Sequence, residues 1–157
     1  MAKKDGASHR EAERLAAKGG LDIVALRPTL ARIARLAKAY ARLPNCDVVL
    51  LEGDQTWHAS QPDAWRSAVP NETSLTAEAV KADGVLWISD ASADPRFQTH
   101  RGVVDGAIVF CAGAPIRLAD GRGVGAIWVT DTEPKAFDQD LADYLTDLSA
   151  LAADEWK

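Results

Sequence analysis

Between residues 26 and 43, apolar side chains recur at alternating steps of four and three, which predicts an amphipathic helix with a basic opposite face. Its apolar seam consists of Leu26, Leu30, Ile33, Ala37 and Tyr40. Pro28 suits the first turn, where a missing N–H costs no hydrogen bond. A short helix is predicted over residues 73–83, and a third helix follows Asp138, whose side chain can cap it. The apolar face of this third helix comprises Leu141, Tyr144, Leu145, Leu148, Leu151 and Ala152.

Shorter apolar runs between these helices predict strands. Residues 46–60 contain two strands joined around Gly53 and Asp54, and residues 85–89 form another. Residues 107–131 form a hairpin that turns at Asp120-Gly121. Because strands adjacent in sequence pair antiparallel, this order predicts an α+β fold, with a central antiparallel sheet of five to six strands flanked by helices.

The first twenty residues differ from the rest of the chain. Ser8 and Glu11 match a capping box, and Gly19-Gly20 ends the helix formers, but the segment contains a single leucine and can bury little apolar surface. We therefore expect residues 1–20 to form a mobile arm or a short helix. Residues 21–157 are expected to form one domain.

Charge and cysteine content narrow the functional classes. The net charge of −5 argues against binding to a nucleic acid backbone. Cys46 and Cys111 are the only cysteines, and this number provides neither a disulfide framework nor the usual spacing of a zinc site. The N-terminus has no apolar core typical of a signal peptide, and no apolar run reaches membrane length. We predict a cytoplasmic protein with no metal, membrane or nucleic acid partner.

Four segments carry a resemblance to a known family. They are the helix and hairpin over about residues 27–60, "WISDASADPRF" at 87–97, "FCAGAPIRLADGRGVGAIWVTDTEPKAF" at 110–137, and "LADYLTDLSALA" at 141–152. Together they resemble a GAF domain, the sensory module found in bacterial signalling proteins, over about residues 27–157. The resemblance implies a GAF or PAS-like sheet with helices on its faces.

The loop within "WISDASADPRF" invites either a chemical or a structural interpretation. The resemblance implies a structural junction at the edge of a pocket, and the residues agree with that role. Asp90 can accept backbone N–H groups in the turn, and Pro95 keeps Asp94 out of helical geometry. Arg96 has both carboxylates within local reach, and Phe97 can anchor the loop among apolar side chains.

The resemblance also implies a non-catalytic, small-molecule-sensing domain that signals through the N- and C-terminal helices of a homodimer. Its ligand pocket is expected between the sheet and a covering helix and loop, for a flat or largely apolar ligand whose identity, like that of any cofactor, is not indicated. The expected apolar walls are Trp57, Trp87, Phe110 and Trp128, and the expected polar contacts are Asp90, Arg96 and His100. Gly113 and Gly125 leave gaps on the sheet, which we expect the protein's own side chains to fill when no ligand is bound.

Two alternatives remain open. The domain can be a dimerisation or signal-relay module without a ligand, in which the two long amphipathic helices pair with those of a second copy and contact a signalling partner protein. It can also resemble the thiol enzymes that reduce free methionine sulfoxide, although Cys111 lies within a strand and no third cysteine is present. Covalent tetrapyrrole attachment lacks a cysteine beside His100. We therefore predict no catalytic residue.

Overall fold

The computed structural model describes residues 23–52, 55–58, 66–70 and 75–156. The predicted N-terminal arm with its capping box, and the predicted turn at Gly53 and Asp54, lie outside the described residues. Within the described part of the chain, no helix combines the length and apolar character needed to cross a membrane.

Four α-helices and six strands make up the described fold. The helices are α1 (Ile23–Ala41), α2 (Leu75–Lys81), α3 (Arg101–Val104) and α4 (Gln139–Asp154). The strands are β1 (Asn45–Glu52), β2 (Gln55–His58), β3 (Arg66–Pro70), β4 (Leu86–Ile88), β5 (Phe110–Arg117) and β6 (Gly123–Asp131). Strand β3 lies in a segment for which the sequence pattern predicts no strand.

Across the described strands the sheet has the order β3-β2-β1-β6-β5-β4, and every neighbouring pair is antiparallel. The predicted α+β class and the β5–β6 hairpin are confirmed, and the Gly121 N–H donates to the Leu118 carbonyl within the hairpin turn. The central contact, between β1 and β6, joins strands far apart in sequence. At its tightest point Gly125 lies against the β1 backbone, so close that a Cβ atom would collide with the Val49 carbonyl oxygen.

Helices α1 and α4 cover one face of the sheet, here called the helix side. Helix α1 begins three residues earlier than predicted, so Pro28 lies in its second turn. The seam of α1 is buried at Leu30, Ile33 and Ala37, but Tyr40 is half exposed and stacks on Tyr144 of α4 with ring centroids 3.9 Å apart. The predicted Asp138 cap of α4 is confirmed, because its carboxylate accepts the N–H groups of Asp140 and Leu141. The buried sheet residues on this side include Val48, Leu50, Phe110, Ala112, Ala114, Ile116, Ile127 and Val129.

Helix α2 and the loop at residues 89–104 cover the opposite face, here called the loop side. Its buried cluster comprises Val49, Leu75, Ala79, Ile88, Ala91, Phe97, Val103, Cys111, Ala126 and Trp128. The two clusters alternate along β1, β4, β5 and β6, so that Cys111 and its neighbour Ala112 belong to different sides. This alternation is the period of two that a pleated strand imposes.

Candidate functional site

The loop after β4 is held together by local hydrogen bonds. The Asp90 carboxylate accepts the Ser92 N–H at 3.0 Å, as predicted for a turn acceptor. The Asp94 carboxylate accepts the Arg96 backbone N–H at 2.9 Å and two guanidinium bonds at 3.1 and 2.8 Å. Hydrogen bonding by Arg96 lowers the pKa of Asp94. Of the two carboxylates predicted to lie within local reach of Arg96, its guanidinium bonds to Asp94.

Three apolar side chains fasten this loop to the loop side of the sheet. Ala91, Phe97 and Val103 are buried in the loop-side cluster, and the Ala91 N–H donates to the Val109 carbonyl at 2.7 Å. Phe97 is therefore the apolar anchor that the sequence predicted. The arrangement supports a structural junction rather than a catalytic cluster.

His100 acts as a helix cap in this structure. Its Nδ1 accepts the Gly102 N–H at 3.2 Å at the start of α3. Burial lowers the pKa of His100, which favours the neutral ring that this acceptor role requires. A Cβ atom on Gly102 would lie 2.8 Å from Ile108, so the turn fits closely against the following segment.

Trp128 is the predicted pocket residue that the structure places firmly on the loop side. Its indole Nε1–H donates to the Thr76 hydroxyl of α2 at 2.8 Å. Its ring lies over Gly113, where an added Cβ would come within 2.9 Å of three ring atoms. The expectation that the protein's own side chains fill the gap at Gly113 is confirmed.

Trp87 and Phe110 lie on the helix side, away from Trp128. Their ring centroids are 4.9 Å apart, and Trp87 also meets Phe137 edge-on at 5.1 Å. The Trp87 Nε1–H donates to the Lys135 carbonyl at 3.2 Å. The sequence-based prediction of one aromatic wall is therefore wrong, because Phe110 and Trp87 pack with the helix-side cluster and Trp128 with the loop-side cluster.

The remaining predicted wall residue is Trp57. The backbone of Trp57 pairs with that of Leu50 across β1 and β2. Its side chain lies outside the described residues.

The segment from β6 to α4 is attached to the base of the covering loop. The Lys135 N–H donates to the Ser89 carbonyl at 3.2 Å, next to the bond that Trp87 makes with the Lys135 carbonyl. Residues 132–138 therefore link the start of the loop to the start of α4.

Arg117 holds the C-terminal end of α2, whereas Trp128 contacts Thr76 near its start. Its guanidinium donates to the carbonyl oxygens of Val80 at 2.5 Å and Ala82 at 2.8 Å, which satisfies groups that a helix end leaves open. Val80 also packs where a Cβ on Gly123 would stand. An open groove of about 310 Å³ lies beside this contact and is lined by Asp83, Gly84, Ala114, Pro115, Arg117, Thr146, Ser149 and Ala150.

A buried carboxylate that the sequence analysis missed also lies on the loop side. Asp47 of β1 pairs in register with Trp128 and is hydrogen-bonded to His58 Nδ1. His58 itself is in register with Val49. The sequence signal was a charged residue in the otherwise apolar run 46–51, two positions before Val49 and thus on the same face.

The two cysteines lie on opposite sides of the sheet and are both free. Burial raises the pKa of Cys46 to about 12, and burial likewise raises the pKa of Cys111 to about 12. Both thiols are therefore protonated and poorly nucleophilic near neutral pH. Among residues that the structure describes, no group of three or more His, Cys, Asp or Glu side chains could hold a metal ion.

The fold and its sequence identify the class of protein. The GAF domain family model matches residues 25–156, and the chain belongs to that family. It is 31% identical over 104 residues to a cyclic di-GMP phosphodiesterase of Pseudomonas aeruginosa, a match that covers 66% of this chain and 18% of that protein. The chain thus spans less than a fifth of the length of this relative.

Solved structures show the same fold at low sequence identity. The GAF domain of the Acinetobacter phosphoenolpyruvate-protein phosphotransferase superposes with a TM-score of 0.68 at 13% identity, covering 99% of this chain and 94% of that one. Free methionine-R-sulfoxide reductase from Neisseria meningitidis gives 0.67 at 20% identity, covering 83% and 77%. The GAF family is a family of sensory and signalling modules, and the reductase is an enzyme with the same fold.

Proposed function

We propose that this chain is a non-catalytic sensory domain that binds a small molecule on the loop side of the sheet. The observation that supports this proposal is that the two faces of the sheet are covered by different amounts of structure. Two helices, of 19 and 16 residues, cover the helix side, whereas the 7-residue helix α2 and a loop cover the loop side. The thinner cover can separate from the sheet at lower cost, because fewer buried contacts hold it.

The polar contacts of α2 support this assignment. Thr76 near its start bonds to Trp128, and Arg117 holds its last carbonyl groups. A ligand that competes for the Thr76 hydroxyl or wedges beneath α2 would move this helix while β5 and β6 stay paired. Movement of α2 would pass to the covering loop, which packs in the same loop-side cluster, and from the base of that loop to α4 through residues 132–138. This gives a route to a signalling partner.

The state of the two thiols favours sensing over sulfoxide reduction. Cys46 and Cys111 face different clusters, and burial raises the pKa of each to about 12. A sulfoxide reductase needs a reactive thiolate and a second thiol that can form a disulfide with it. We propose that the likeness to the Neisseria enzyme is a likeness of fold.

Native mass spectrometry of freshly purified protein, followed by amide NMR mapping of any bound compound, tests the sensory proposal. We expect a co-purifying small molecule or a screened compound to shift the amides of Ala91, Val103 and Ala126. Helix-side amides such as Ile116 and Leu145 serve as the internal control. Shifts confined to the helix-side amides would contradict the proposal.

A second candidate function is pairing with another copy of the chain through α1 and α4. Leu36 and Tyr40 of α1 and Leu151 of α4 remain 47%, 48% and 55% exposed. The flanking charges are complementary, because α1 is rich in Lys and Arg whereas α4 is rich in Asp. We propose that α1 of one copy packs against α4 of the other, so that two-fold symmetry forms this contact twice and covers each exposed apolar strip once.

Analytical ultracentrifugation tests this pairing. The double variant Leu36→Asp with Leu151→Asp is expected to be monomeric at concentrations where the parent is dimeric. Val104→Asp is the matched control, since Val104 is 67% exposed but lies on α3. Added salt should weaken the parent dimer by screening the charges. A parent that stays monomeric at micromolar concentration would dispose of the idea.

A further inference from the structure

An acid–base pair links β1 to β2 on the loop side of the sheet. Asp47 is in register with Trp128, and His58 is in register with Val49. Because side chains at alternate positions share a face, Asp47 and His58 both project to the side on which Val49 and Trp128 are buried. The Asp47 carboxylate is hydrogen-bonded to His58 Nδ1.

The bond to the buried Asp47 carboxylate orients the His58 ring. The Asp47 side chain is only 12% exposed, and a carboxylate removed from water needs a hydrogen-bonding partner. In the neutral tautomer whose Nδ1–H donates to that carboxylate, Nε2 is the acceptor. The His58 side chain is 31% exposed, so the ring is accessible from outside.

The surroundings place this acceptor at the edge of an apolar surface. Among the described elements, α2 packs mainly on β5 and β6 and less on β1. Beyond α2 the loop-side face continues through Val49 to the imidazole of His58. Val49 is itself buried, so the apolar side chains beside this oriented acceptor become available to a ligand when the cover separates from the sheet.

We propose that His58, oriented by Asp47, is the residue that determines ligand specificity on the loop side. It accepts an N–H or O–H group from a small neutral ligand whose apolar body lies against the surface around Val49. An anionic ligand is disfavoured because the Asp47 carboxylate lies directly behind the ring. This inference rests on the proposed sensory function and adds the chemical class of the ligand.

Matched probes with and without the donor test the inference in the parent protein. The pairs are indole with 1-methylindole and phenol with anisole, which differ by methylation of the donor group. NMR titration should show the donor probe binding about three- to tenfold more tightly, as expected for one neutral hydrogen bond. The His58 Nε2 resonance should shift with indole and phenol.

Variants separate recognition from a merely structural pair. His58→Phe should remove the preference for the donor probe while 1-methylindole still binds. His58→Gln keeps a side-chain acceptor and should retain part of the preference. Arg122→Gln changes an exposed side chain in the turn between β5 and β6 and should leave the preference unchanged.

The outcomes distinguish this inference from the function on which it rests. Equal binding of donor and methylated probes on the loop side, with His58 unshifted, would overturn the role of His58 and leave the sensory proposal standing. Binding of the probes to the helix side alone would overturn both. A donor preference that survives His58→Phe would also overturn the role of His58.

Discussion

Gly113→Ala is the substitution whose effect follows most directly from the geometry. Its new Cβ would lie 2.9 Å from Cδ2, Cε2 and Cε3 of Trp128. Carbon atoms pack at about 3.5–4.0 Å, so the indole must move by roughly 0.6–1 Å. That movement pulls Nε1 away from the Thr76 hydroxyl, to which it donates at 2.8 Å.

The cost can be estimated from its parts. Overpacking a close-packed core costs about 1–3 kcal/mol, and losing one buried hydrogen bond costs about 0.5–1.5 kcal/mol. The alanine also restricts the unfolded chain, which offsets about 0.4–1 kcal/mol. The expected net loss is about 1–4 kcal/mol, a large part of the roughly 5–15 kcal/mol that stabilises a typical domain.

Urea unfolding of four proteins measures this effect as a double-mutant cycle. They are the parent, Gly113→Ala, Trp128→Leu and the double variant. If the new methyl group clashes with the indole, Gly113→Ala should lower the free energy of unfolding less than half as much in the Trp128→Leu background as in the parent. The Trp128 indole N–H resonance should also shift in the single variant. Equal costs in both backgrounds, or an unchanged urea midpoint, would refute the reasoning.

Three further predictions concern α2, the covering loop and the buried thiol. Arg117→Met should lower hydrogen-exchange protection of α2 amides several-fold, because the Val80 and Ala82 carbonyls lose their donor, whereas protection in α4 should not change. Burial lowers the pKa of His100, so the unfolded chain protonates first as the pH falls. The stability that this group contributes is complete above about pH 6.5 and is lost as the pH falls towards the folded pKa. Urea unfolding at several pH values should therefore show a smaller loss of stability on acidification for His100→Asn than for the parent. Burial raises the pKa of Cys111 to about 12, so iodoacetamide should label Cys111 in urea but not in the native protein at pH 7.5. Fast labelling of Cys111 in the native protein would contradict this burial.

Local features of the fold could be predicted from the sequence because each depends on nearby residues. The Asp138 cap and the turn at Asp120-Gly121 both follow from side chains that act within a few positions of their own backbone. The Asp90 turn acceptor follows in the same way. Such signals do not require knowledge of which strands meet.

Features that depend on strand pairing could not be predicted in this way. Gly113 pairs with Trp128, and paired residues share a face of the sheet. Only this register shows that Trp128 lies on the face of Cys111 and not on that of Phe110. The prediction of one aromatic wall grouped the rings by chemistry and left out this register. The pairing of Asp47 with His58 was missed for the same reason, since it depends on His58 lying opposite Val49.

The two hydrogen bonds at Lys135 have a practical consequence for engineering. Because its N–H bonds to Ser89 and its carbonyl receives the Trp87 indole, the entry to α4 moves together with the root of the covering loop. Inserting two or three flexible residues within segment 132–138 would uncouple α4 from the covering loop while leaving the helix-side and loop-side clusters intact. A chimera that reports on loop position through a fused fluorophore should therefore keep this segment at its native length.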